Sequence, residues 1–113
     1  ALAAEVRTNL AAARAPALGP CVEAARAAMK HASDWIARAL EDPRRVDAGA
    51  RRYAMTLGRT LQLSLMVVHA QWCADNGRSR RSIVAARRFA LEGVDLIADI
   101  DPDESLTLGT GAG

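Results

Sequence analysis

Doubled arginines are the residues whose type and spacing could do the most chemistry in this sequence. Arg44-Arg45, Arg51-Arg52 and Arg59 recur in steps of seven, and Arg80-Arg81 and Arg87-Arg88 repeat that step further on. Seven residues is close to two helical turns, so on helices each series lines up along one side. Arg45, Arg52, Arg59, Arg81 and Arg88 are the candidate contacts of two such rails. A guanidinium fork matches phosphate and carboxylate oxygens, so the rails could grip a phosphate-bearing ligand or a nucleic-acid backbone. The other reading is a solvated or intersubunit face. Asp47 stands four residues before Arg51 and Glu92 four after Arg88, a spacing that stabilises a helix by a few tenths of a kcal/mol per pair. No aromatic residues lie between the arginines to stack bases, as single-strand binders require.

Histidine and cysteine are the other reactive types. His69 and Cys73 stand at i and i+4 and could share one metal, but a closed zinc site needs four ligands. Cys21 is ten residues from His31, not on an adjacent turn. His31, near Asp34 and Trp35, and His69, near Trp72, therefore read as capping or packing residues. A Cys/His nucleophile pair lacks a third orienting group. Two widely separated cysteines with no CxxC read as buried, reduced thiols. No HExxH, phosphate loop, dinucleotide fingerprint or paired glutamates occur, and the terminal GTGAG follows no strand and precedes no helix. No catalytic, cofactor-binding or metal residue is assigned.

Helices must carry these residues. Leu2, Val6, Leu10 and Ala13 keep helical spacing, and Pro16, Gly19 and Pro20 end that first helix near Ala15. A second is predicted from about Cys21 to Glu41, with Val22, Ala25, Met29, Ala32, Ile36 and Leu40 on its apolar stripe. Asp42-Pro43 suits an N-cap and first helical position, so a third starts there or at Asp47. It runs to about residues 73–75, where Asn76-Gly77 supplies a left-handed cap. Its predicted stripe is Ala50, Ala54, Leu57, Leu61, Leu65, Val68 and Trp72. The fourth starts near Ser79 and carries Ile83, Ala86, Ala90, Val94 and Ile97 on one face. Gly93 within it marks close backbone approach or an early end.

Short connections make neighbouring helices antiparallel, so the expected fold is an all-α, up-down four-helix bundle over residues 1–98 with a flexible acidic tail over 99–113. The composition agrees: 113 residues, 50% hydrophobic but only 4% aromatic, favour close-packed helices in one domain over sheet. The longest uncharged run, Thr60 to Ala74, is shorter than the roughly 18–20 residues of a membrane span. A net charge of +2, with Lys30 the only lysine among fifteen basic residues, does not by itself imply nucleic-acid binding. The absence of a signal segment makes a cytoplasmic location the expectation. A chain that begins inside a helix without methionine is expected to be a piece of a longer one.

Residues 50–70, ARRYAMTLGRTLQLSLMVVHA, resemble a helix near the C-terminus of acyl-CoA dehydrogenase-like flavoproteins, in the alkylation-response (AidB-like) branch. Ala85-Ala86-Arg87-Arg88-Phe89-Ala90 and Gly93-Val94-Asp95-Leu96-Ile97 resemble the closing helix of actinobacterial members. Leu2-Ala3-Ala4-Glu5-Val6 resembles the start of that region, so the likeness spans Leu2 to Ile97. The resemblance implies a C-terminal helical domain that follows an upstream flavoprotein core. It also implies a parent that binds FAD and oxidises acyl-CoA thioesters, with a core glutamate abstracting the α-proton. No stretch here matches the catalytic-glutamate or flavin-contacting motifs, so the expected role is packing and homo-oligomer contact. In the alkylation-response branch this region is associated with DNA contact and assembly, which makes nucleic acid the alternative partner for the rails.

Overall fold

The structure, a computed structural model, describes residues 1–97. Four α-helices follow one another, α1 Leu2–Leu10, α2 Gly19–Ala39, α3 Pro43–Asp75 and α4 Arg81–Glu92, with a 3₁₀ turn at Pro16–Leu18. The expected all-α, four-helix class is observed. The predicted tail over 99–113 lies outside the described residues.

The loop chemistry explains most boundaries. Asp42 caps α3 by accepting from the Arg44 N–H at 3.1 Å, and Pro43 follows at the first helical position, where its missing N–H costs nothing. At the other end Gly77 takes φ +64°, Arg78 N–H bonds Cys73 O at 2.8 Å and Gly77 N–H bonds Ala74 O, a Schellman closure. Pro20 does not delay α2, which begins at Gly19, because a proline is tolerated in a first turn. α1 stops at Leu10, short of the expected Ala15: Ala15 must be extended before Pro16, and the Arg14 and Ala15 N–H groups bond the Gln71 side chain instead of continuing the helix. α4 ends before Gly93, whose φ of +103° breaks it early.

α3 spans about 50 Å at 1.5 Å per residue and acts as a spine. α1, α2 and α4 all pack on it. α3 and α4 run antiparallel, since Arg59 meets Gly93 and Cys73 lies across from Ser79 and Ser82. α4 is short and lies beside the C-terminal half of α3, between the levels of Cys73 and Arg59, and the molecule measures 55 × 29 × 16 Å. Among the described residues no helix is long and apolar enough to cross a membrane.

The core is built from small side chains. Val6, Leu10, Leu18, Cys21, Ala25, Ala28, Leu63, Val67, Ala70 and Ala86 are buried in one cluster. The large aliphatic members each stabilise the fold by about 1.5–3 kcal/mol. Two predicted stripes are shifted from the observed ones. On α2 the buried face is Cys21, Ala25, Ala28, Ala32, Trp35 and Ala39, while Leu40 is 74% exposed. On α3 it is Thr56, Thr60, Leu63, Ser64, Val67, Ala70 and Gln71, while the expected Leu65 and Trp72 stand half exposed.

The polar members of that α3 face explain the shift, because each is bonded. Thr60 Oγ1 donates to Thr56 O at 2.7 Å, and Thr56 Oγ1 accepts from Leu96 N–H at 2.9 Å. Ser64 accepts from Asn9 of α1 at 3.1 Å, and Gln71 Oε1 accepts from Arg14 and Ala15 at 2.7 Å each. A polar ladder along the spine thus ties in both α1 with its connection and the segment after α4. No buried side-chain polar atom lacks a partner among the described residues.

Candidate anion-binding face on the third and fourth helices

The seven-residue step holds on α4 and fails as a simple rail on α3. Arg81 and Arg88 are exposed and, with Arg80, line one groove of about 620 Å³ beside Met66, Val84, Phe89 and Glu92. Three guanidiniums over an apolar floor suit an anion carrying a hydrophobic part, with Glu92 opposing it at one end. A second groove of about 530 Å³ shares Met66 and Arg81 and adds Leu65, His69, Cys73 and Ser79. Phe89 and Met66 are the participants that sequence spacing did not single out. Arg80 belongs to the doubled series but not to the five candidate contacts.

On α3, Arg59 is used internally. Its Nε donates to Gly93 O at 2.7 Å, and its guanidinium stacks 4.5 Å from the Phe89 ring centroid. It therefore caps the end of α4 and does not face a ligand. Arg45 is half exposed and lies 3.8 Å from Asp42, and Arg52 is exposed. Neither Asp47–Arg51 nor Glu92–Arg88 closes into an ion pair among the described residues.

The histidines and cysteines fall into packing roles. His69 Nε2 lies 3.6 Å from Cys73 Sγ and its ring stacks on Trp72, but no third metal-ligating group joins them, and no such trio exists among the described residues. His31 Nδ1 instead meets Asp95 Oδ2 at 2.7 Å, which pins residues 93–97 to α2. Both cysteines are free and buried. Burial pushes the Cys21 thiol up, against the opposing pull of the Arg87 guanidinium.

A small all-α domain with an arginine-rimmed apolar face is the class that fold and site define. The chain belongs to the family described as acyl-CoA dehydrogenase 11 C-terminal domain-like, whose family model matches residues 1–104. No curated protein and no solved structure matches the chain significantly.

Proposed function

We propose that this domain is the C-terminal accessory part of an acyl-CoA dehydrogenase-like, FAD-dependent oxidoreductase, serving packing against the upstream core and homo-oligomer contact. The observation that carries this reading is the α3–α4 face, where Leu65 and Val84 remain about half exposed in grooves that share Met66. Apolar side chains gathered on one face of a short domain favour burial against another protein surface.

The parent's flavin has no cradle in the α3–α4 grooves. Both are walled by side chains of α3, α4 and the turn between them, and no glycine lines either one to let backbone approach a pyrophosphate. The proton abstraction and hydride transfer of such an enzyme belong to its core, and this domain supplies no catalytic residue to them. Cytoplasmic residence accords with that role.

The test uses the parent flavoprotein with Leu65→Asp and Val84→Asp, both at exposed positions. Sedimentation velocity should show a smaller assembly, with bound flavin retained. An unchanged assembly mass, or loss of flavin with the mass intact, would reject the reading.

A second reading, binding of a nucleic-acid backbone or another polyanion, is favoured by one observation: Arg80, Arg81 and Arg88 share a groove. Titration with duplex DNA over a salt series should then show log K falling with log salt. Arg81→Ala and Arg88→Ala should each lower the slope by about 1. Absence of binding at low salt eliminates it.

A further inference from the structure

One thioether, one imidazole and one thiol stand together on one face of α3. Met66, His69 and Cys73 are spaced i, i+3 and i+7, which keeps them within about 60° of one another around the helix axis. All three line the groove of about 530 Å³ between α3 and α4, so a solute that enters it meets them together. His69 Nε2 lies 3.6 Å from Cys73 Sγ, and the His69 ring stacks on Trp72, 11° from parallel, which restricts its rotation.

That separation suits a shared ion as well as it suits a thiol–imidazole hydrogen bond. With metal–ligand bonds of about 2.0 Å to nitrogen and about 2.3 Å to sulfur, it subtends roughly 114° at the ion, between the tetrahedral and trigonal angles. For a cation that takes nitrogen, thiolate and carboxylate donors the pair stays incomplete, since no group of three His, Cys, Asp or Glu exists among the described residues. A soft cation also accepts a thioether. Met66, one turn before His69 and flexible along its side chain, supplies that third donor.

Charge narrows the choice of ion. Arg81 lines the same groove, so a bound cation stands in the field of a guanidinium. A monovalent ion on the Cys73 thiolate is neutral, whereas a divalent one leaves a net positive charge facing Arg81. Soft donors and a preference for single charge select copper(I) over zinc.

We propose that Met66 Sδ, His69 Nε2 and Cys73 Sγ form a three-coordinate copper(I) site in the α3–α4 groove. On binding, the Cys73 thiol proton passes to solvent and the copper keeps its oxidation state. Cys21, the other thiol, is buried in the core cluster and takes no part. The site stands independently of the accessory-domain reading, because one helix of one chain supplies every donor.

Copper(I) titration of the 113-residue chain against bicinchoninate, under ascorbate and without oxygen, tests it. The chain should withdraw one copper(I) per molecule from the coloured complex and sediment as the same species with and without the metal. X-ray absorption at the copper edge should show two sulfur neighbours and one nitrogen. Cys73→Ser should abolish withdrawal, and His69→Gln and Met66→Leu should each weaken it at least about tenfold. Met66→Leu nearly conserves side-chain volume, so it tests the thioether without disturbing the fold. Cys21→Ala should bind as wild type does, and zinc in large excess should leave the copper in place. Failure of the wild type to withdraw copper would overturn the proposal. So would Met66→Leu binding as tightly as wild type, a single sulfur neighbour, two chains per copper, or displacement by zinc.

Discussion

Gly49 and Gly58 stand on the same helix, and the same substitution has opposite consequences at the two. A Cβ at Gly49 would fall 2.3 Å from Trp35 Cζ2, a ring held by stacking on Tyr53 at 5.2 Å, whereas a Cβ at Gly58 meets nothing within 4 Å. Gly49→Ala should therefore destabilise by about 1–3 kcal/mol through overpacking. Gly58→Ala should stabilise by up to about 1 kcal/mol through helix propensity. Thermal melts followed by circular dichroism should move in opposite directions. Cys21 gives a pH test at the same scale. Burial raises its thiol pKa, with Arg87 opposing, so the folded state holds the proton more tightly than the unfolded one. That contribution is fully present below the unfolded pKa of roughly 8.5 and is lost as pH rises through the raised folded value. Urea midpoints measured at pH 8 and pH 10 should fall more for wild type than for Cys21→Ala. An equal fall in both would remove Cys21 from the alkaline response.

Helices are where the sequence was read well in number and badly in rotation. Proline, glycine and Asp42 marked the boundaries of α2 and α3 because cap chemistry is local and needs no knowledge of neighbours. The buried face of α3 was not legible, because Thr56, Ser64 and Gln71 find hydrogen-bond partners in sequence-distant segments and Thr60 bonds back to Thr56 O. Hydrophobic spacing alone therefore selected Leu65 and Trp72, which stand half exposed. α2 failed for a related reason: alanines and Cys21 fill its close contact with the spine, leaving larger Val22 and Ile36 at the margins. Of the candidate site, the pairing of Arg81 with Arg88 was visible from spacing. The role of Arg59 was not, since its partner Gly93 lies 34 residues away. The ladder makes its own prediction. Gln71→Leu leaves the half-buried Arg14 and Ala15 N–H groups without their acceptor, and Asp75 loses one of its donors. The cost should be about 1–3 kcal/mol. Hydrogen exchange in α1 should quicken more than in α4, because Gln71 joins the α1 connection to the spine. Uniform quickening would mean the ladder does not tie in one element at a time.

For the whole molecule, stability is distributed along α3, and the segment after α4 is the part whose attachment can be removed separately. α1, α2 and α4 bury apolar side chains against the spine, whereas residues 93–97 rest on Val94, three polar contacts and little else that is fully buried. Arg59 is central to that attachment because it bonds Gly93 and stacks on Phe89, joining the end of α4 to α3. Arg59→Met keeps a long apolar stem but removes a charged hydrogen bond, typically worth about 1.5–3 kcal/mol, and a cation–π contact of about 0.5–1 kcal/mol. Only the contacts between this segment and the helices depend on it directly, so local opening should be affected before global unfolding. The Leu96 amide, bonded to Thr56 Oγ1, should exchange at least about tenfold faster in Arg59→Met, as a loss of about 1.4 kcal/mol implies. The amides of Val67 and Ala70 in the core should follow only the smaller change in global stability. Thr56→Val removes the acceptor itself, and adding Arg59→Met to it should then accelerate Leu96 by less than it does in wild type. If the two substitutions acted independently, residues 93–97 would not be a cooperative unit, and Arg59 would be no more than a cap on α4.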